Sequence, residues 1–149
     1  MIKPQNNTED QPVDLSVEAL LGTYAPVKTF DLGLPMGGEL TFHLHESHSA
    51  KKEFEEARTK FIKSMMRRAT EGRLPEGFIP LADLCTEDNL SFAFTLSTLC
   101  VSPGFDQAQA LALSKAPALA SYILDGITTH SANFLVQLKA QLLDEAKKD

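Results

Sequence analysis

The sequence predicts a mainly α (α+β) protein, in which a small N-terminal β-hairpin precedes a compact bundle of about four helices. Three observations carry this. Apolar residues recur at three- and four-residue steps over most of the chain beyond Ser49, the period of an amphipathic helix. Leu40, Phe42 and Leu44 instead alternate strictly with Thr41, His43 and His45, the period of a strand. Clusters rich in Gly and Pro separate these runs. With 149 residues, 43% of them apolar, the chain matches one ordinary domain. A chain of this size buries roughly 70% of the surface its unfolded form exposes, so it needs neither a disulfide nor a metal to fold.

Residues 1–13 are polar, hold almost nothing to bury and read as a disordered tail ahead of a single domain, 14–149. Ser16 caps a helix of one or two turns over 17–21, which Gly22 stops. Val27, Phe30, Leu32 and Leu34 then lead to a turn cluster at Pro35, Gly37 and Gly38. With the alternating run that follows, this makes a hairpin over about 26–46 whose loop is longer than two residues. Ser49 is the expected N-cap of a long helix that carries Phe54, Ala57, Phe61, Met65 and Ala69 on one face and ends at Gly72. Pro75, Gly77 and Pro80 make 73–80 a loop.

Thr86 caps the next helix, with Glu87 and Asp88 favourable in its first turn. Its body, 90–101, is apolar on nearly every side and therefore central to the core, until Ser102, Pro103 and Gly104 stop it. A short helix over about 106–115 ends at Ala116 and Pro117. The last helix carries Leu119, Ile123, Ile127, Phe134, Leu138 and Leu142 at near-fourfold spacing, with His130 in the same row. Gly126 reads as a weak point inside it, costing about 1 kcal/mol against Ala. Lys147 and Lys148 suit its C-terminus.

The formal net charge is -6, which argues against nucleic acid and against an anionic membrane as partners, since both need a surplus of Lys and Arg. There is no apolar run long enough to span a bilayer and no signal-peptide core at the N-terminus, so the expectation is a soluble, cytoplasmic protein. Cys85 and Cys100 each lie in an apolar segment and read as buried small hydrophobes rather than as a disulfide or metal ligands.

The sharpest local feature is His43, His45 and His48 with Glu46 among them. The first two share a strand face, as zinc-binding pairs do. A catalytic zinc takes three protein ligands and an open position. Here the third ligand would be His48, past the strand end, and no further acidic or histidine cluster follows to serve as base. The expected arrangement is a solvated strand face with no metal and no cofactor. Nothing resembles a nucleophile elbow or a phosphate-binding loop, and paired acids such as Glu55 with Glu56 are adjacent, so they do not face each other on a helix. The sequence thus predicts no catalytic residues and a protein that is not an enzyme.

Charge is distributed unevenly. Residues 51–73 hold eight Lys or Arg against four acids, so this segment is +4 and the remainder of the chain -10. Lys52, Lys60, Lys63 and Arg67 fall opposite Phe54 and Phe61, and Glu56 lies one turn from both Lys52 and Lys60, the spacing of ordinary helix-surface pairs. The stripe reads either as a solvated face or as a surface that docks on an acidic partner or a neighbouring copy. Met65 sits on the apolar face and Met66 near its edge, where an adaptable side chain can serve a contact. Lys52, Lys60, Lys63, Arg67 and Met66 are the candidate protein-binding residues.

The run FDLGLPMGGELTFHLHE is followed by a charged helix and then by TEDNLSFAFTLSTLCVSPGFDQAQALALSKAPALASYILDGITTHSANF. This order of an apolar helix, a Pro/Gly break, a short helix ending near Ala116-Pro117 and a long final helix resembles the tail assembly chaperones of long-tailed bacteriophages, over about 29–141. The resemblance implies a non-enzymatic role in the host cytoplasm. Such proteins bind the tape measure protein, keep it soluble and help recruit tail tube protein onto it. They self-associate into oligomers and are absent from the mature virion. Two other readings stand beside it. One is a structural or completion component of a phage particle, acting as a helical adaptor. The other is a small metal-dependent enzyme using His43, His45 and His48.

Overall fold

The two alternating runs pair as the sequence predicts. In the computed structural model, which describes residues 13–24, 28–44 and 48–148, strand β1 (Lys28–Gly33) lies antiparallel to β2 (Glu39–Leu44), with Phe30 opposite Phe42 and Leu32 opposite Leu40. The five-residue connection turns at Gly37 and Gly38, whose φ of 108° and 87° a side chain would disfavour. It is closed by hydrogen bonds from the Leu34 N–H to the Gly38 carbonyl and from the Gly37 N–H to the Leu34 carbonyl. The expected tail lies outside the described residues except for Val13.

A third strand is a correction to the predicted 90–101 helix. Helix α3 (Glu87–Leu99) stops at Leu99, and β3 (Cys100–Ser102) pairs antiparallel with β2, giving the order β1-β2-β3. The physical reason is local. Val101 is β-branched, and Ser102 precedes Pro103, which disfavours helical geometry in the residue before it. Cys100 is already extended, at φ -79° and ψ 119°, and sits opposite Phe42.

Three boundaries also differ from expectation. Helix α1 (Val17–Tyr24) begins where Ser16 caps it, the Ala19 N–H donating to the Ser16 hydroxyl at 3.2 Å, but it continues through Gly22. Glycine ends a helix by adopting positive φ, as Gly72 does at 68° after α2 (His48–Glu71). Helix α2 starts at His48, so Ser49 lies in its first turn instead of capping it. The expected loop over 73–80 is mostly a 3-10 segment, Glu76–Leu84, anchored by buried Phe78 and Leu81. Pro75 at φ -56° suits the start of a helical turn, and its carbonyl accepts from the Phe78 N–H.

Helix α3 is the centre of the packing. Leu90, Phe92, Ala93, Leu96 and Leu99 are all buried, as an all-round apolar helix requires. Its start is capped by Thr86, whose hydroxyl accepts from the Asn89 N–H. Helix α4 (Gln107–Leu113) begins with a capping box: the Gln109 N–H donates to the Asp106 carboxylate at 2.7 Å, and the Asp106 N–H donates to the Gln109 side chain at 3.0 Å. It buries Ala110 and Leu111 against α3.

Helix α5 (Pro117–Lys148) has 32 residues and is about 48 Å long, well beyond the roughly 30 Å width of a small domain. Its first half reaches the core through Ile123 and Ile127, and among the described residues the large apolar side chains of its second half, Val136, Leu142 and Leu143, are exposed. It is fastened to β1 at two points: the Tyr122 hydroxyl donates to the Gly33 carbonyl at 2.6 Å, and the His130 ring stacks on Phe30 at 4.2 Å.

Candidate functional site

The four cations of the predicted stripe share one side of α2. At about 100° per residue they occupy an arc of about 80°. Phe54, Phe61 and buried Met65 take the opposite side and pack inward, the two rings against Phe94. Lys52, Lys60, Lys63 and Arg67 are exposed, and Met66 borders them at 39% exposure. The expected pairs with Glu56 do not close. Among the described residues the ion pair that forms is Arg73 with Glu71. Exposed pairs at this spacing gain little against the entropy of holding two long side chains, so the lysines stay available to another surface.

A second feature is apolar and lies at the ends of the chain. Val136, Leu142 and Leu143 on the outer half of α5 are exposed, as are Leu15, Val17 and Leu21 around α1. The sequence placed Leu142 in the core-facing row, but the helix has outrun the core by that point. The side chains of Phe134 and Leu138 lie outside the described residues.

The third feature involves the predicted histidine cluster. His45 and Glu46 lie outside the described residues, and His48 opens α2. Among the described residues no group of three His, Cys, Asp or Glu could hold a metal ion. His43 is not on a solvated face, contrary to expectation. It is half-buried, its Nδ1 is sealed from solvent, and among the described residues that atom has no hydrogen-bond partner. It lines a half-open cleft of about 510 Å³ between β2, α2, α3 and α5. Thr95, only 5% exposed, lines the same cleft, and its hydroxyl is likewise without a partner among the described residues. Lys51 and Arg58 contribute from α2, with the Arg58 guanidinium lying 5.4 Å from the Phe54 ring centroid. The sequence offered one signal for this site that was not used: Ser91 and Thr95 are polar and four residues apart, and so lie on one side of α3.

Neither thiol is activated. Cys100 is buried and Cys85 half-buried, and burial pushes both above the ordinary thiol range. No helix among the described residues is long and apolar enough to cross a membrane. Comparison of the chain with known protein families, with curated proteins and with solved structures finds no match.

Proposed function

We propose that this chain is a non-enzymatic phage tail assembly chaperone that binds the tape measure protein, keeps it soluble in the host cytoplasm and helps recruit tail tube protein onto it. On this reading the protein acts as an oligomer during assembly and is left out of the mature virion.

The observation that carries the proposal is the surplus of unpacked apolar surface on helical ends. The outer half of α5 presents Val136, Leu142 and Leu143 to solvent, and α1 presents Val17 and Leu21. Exposed apolar helix faces fit a partner that is itself amphipathic and helical, by helix-against-helix contact. A long helical client exposes apolar faces that aggregate unless covered. The exposed stripe of Lys52, Lys60, Lys63 and Arg67, without an ion pair among the described residues, supplies a polar rim for an acidic stretch of such a client. The order of segments over 29–141, which resembles this chaperone family, supplies the identity of the client.

The experiment is co-expression with the longest helix-rich protein encoded nearby in the same genome, scored by that protein's solubility and co-elution. Solubility that depends on this chain supports the proposal. An insoluble client with nothing co-eluting overturns it, and recovery of this chain from purified particles would favour a structural component instead.

A further inference from the structure

Helix α1 is amphipathic, and its apolar side is left bare. Val17, Leu20 and Leu21 stand at positions i, i+3 and i+4, the spacing of a stripe that packs on another surface. Val17 and Leu21 are instead 73% and 58% exposed. Among the described residues, none from α1 belongs to the core or is packed against it. A helix of eight residues does not hold its form well in water by itself, since isolated helices below about 12–15 residues are marginal. The Ser16 cap satisfies one amide and leaves that deficit in place. Such a stripe on such a short helix calls for an acceptor surface.

Reach and charge both point to the half-open cleft between β2, α2, α3 and α5. Residues 25–27 join α1 to β1, so Tyr24 and Lys28 stand at most about 14 Å apart. Thr29, next to Lys28, pairs with His43, and His43 lines the cleft. Strand partners are about 4.5–5.5 Å apart, so the tether starts beside the cleft. Residues 13–24 hold Asp14 and Glu18 and no Lys or Arg. The cleft lining holds Lys51 and Arg58 against the single acid Glu55, over a floor that includes Leu99, Leu124 and Ile127. The outer half of α5, the other exposed apolar surface, offers no such excess: its Lys139, Lys147 and Lys148 are matched by Asp144, Glu145 and Asp149. Size fixes the mode of contact. With its side chains α1 is about 12 Å long and about 10–12 Å across, too large to enter a space of about 510 Å³. The cleft can take the side chains of the stripe while the helix lies across its opening.

We propose that α1 is a tethered lid for this cleft, seating Leu20 and Leu21 over Leu99, Leu124 and Ile127 with Glu18 facing Lys51 and Arg58. The structure holds the lid open, with Val17 and Leu21 bare. Closing buries the stripe and gives the short helix the packing it lacks. A connection of three residues makes closure an event within one chain, favoured over the same contact between separate copies. The lid is a property of the chain alone and does not rest on the identity of any client. A client that takes α1 must first draw it off the cleft.

The test follows amide hydrogen exchange and chemical shifts of the full chain, with the α3 amides in the same spectra reporting that each variant is folded. The α1 amides are expected to exchange at least about tenfold more slowly than those of an unfolded segment, and equally so at every protein concentration. Leu21→Ser is expected to remove that protection and to shift the amides of Ser91, Leu124 and Thr128 while leaving Val136 and Leu142 unmoved. Arg58→Glu is expected to lower the protection of α1, and adding Glu18→Arg to restore it at least in part. A helix held by its cap alone, or by an apolar contact elsewhere, does not respond to that exchange of charges. Should Arg58→Glu disturb α3, Lys51→Glu on the exposed first turn of α2 takes its place in the same exchange. An α1 that exchanges as an unfolded segment overturns the proposal. So does protection indifferent to the charge reversal, or a loss that Glu18→Arg does not reverse. Shifts from Leu21→Ser that fall on the outer half of α5 instead of the cleft overturn it too. Protection that grows with protein concentration overturns it in favour of a second copy as the acceptor.

Discussion

Leu32 on β1 occupies the space that a side chain at position 126 would need: a Cβ on Gly126 would stand 2.7 Å from Leu32 Cδ1 and 2.9 Å from Cδ2. The glycine that reads as a weak point in the helix is therefore a point at which α5 packs tightly against β1. Alanine there would gain about 1 kcal/mol of helix propensity. It would also force a buried leucine to move, which costs about 1–3 kcal/mol in a packed core. Gly126→Ala is expected to lower Tm by about 2–4 °C in a thermal melt. Adding Leu32→Ala should abolish the penalty specific to position 126, as read from a double-mutant cycle. A rise in Tm for the single variant would show that packing does not select this glycine.

The outer half of α5 should be dispensable for folding and necessary for binding. A chain ending at Asn133 keeps Tyr122, Gly126, Ile127 and His130, the residues that meet β1 or the core. Its urea midpoint is expected to stay close to that of the full chain, while co-elution with the client is lost. Cooperative unfolding lost on truncation would mean that 134–149 belong to the core.

Charge reversal at Lys60, Lys63 and Arg67 separates a docking stripe from a solvated face. All three are exposed and without an ion pair among the described residues, so their replacement by Glu should change stability by no more than about 0.5 kcal/mol each. Client capture is expected to fall steeply and to become less salt-sensitive. Unchanged capture would assign the contact to the apolar ends alone.

The cysteines set a pH dependence. Burial holds Cys85 and Cys100 above the ordinary thiol range, so folding favours the protonated form of each. That stability is fully present below the unfolded thiol pKa and is lost as pH rises through the raised folded value. Tm is expected to be flat near neutrality and to decline above about pH 9. The decline should be shallower in a Cys85→Ala, Cys100→Ala protein. Alkylation by iodoacetamide at mildly alkaline pH should be slower in the folded chain than in urea, most of all at Cys100.

The parts of the fold legible in the sequence are those fixed by short-range chemistry. The hairpin, the caps at Ser16 and Thr86, the Asp106 start of α4 and the Gly72 stop each depend on a few neighbouring residues. What escaped depends on distant partners. Val101 and Pro103 end the helix locally, but that Cys100 goes on to pair as strand depends on the free edge β2 offers at Phe42. Gly126 is justified only by Leu32, and His43 lines a cleft whose other walls come from α2, α3 and α5. Leu142 obeys the spacing of a core residue, and periodicity cannot register that α5 has already left the core. For the five candidate binding residues the positions on α2 were legible, whereas the cleft required residues from four separate elements to be brought together.

The order of the sheet has a bearing on how the chain is made. Phe30, Leu32 and Phe42 leave the ribosome well before the parts they join, the neighbouring strand β3 at 100–102 and Ile123, Ile127 and His130 on α5. At ordinary elongation rates of about 5–20 residues per second, the hairpin waits for several seconds with its apolar face bare. Its completion awaits α5, and until then the nascent chain is most in need of protection at the hairpin.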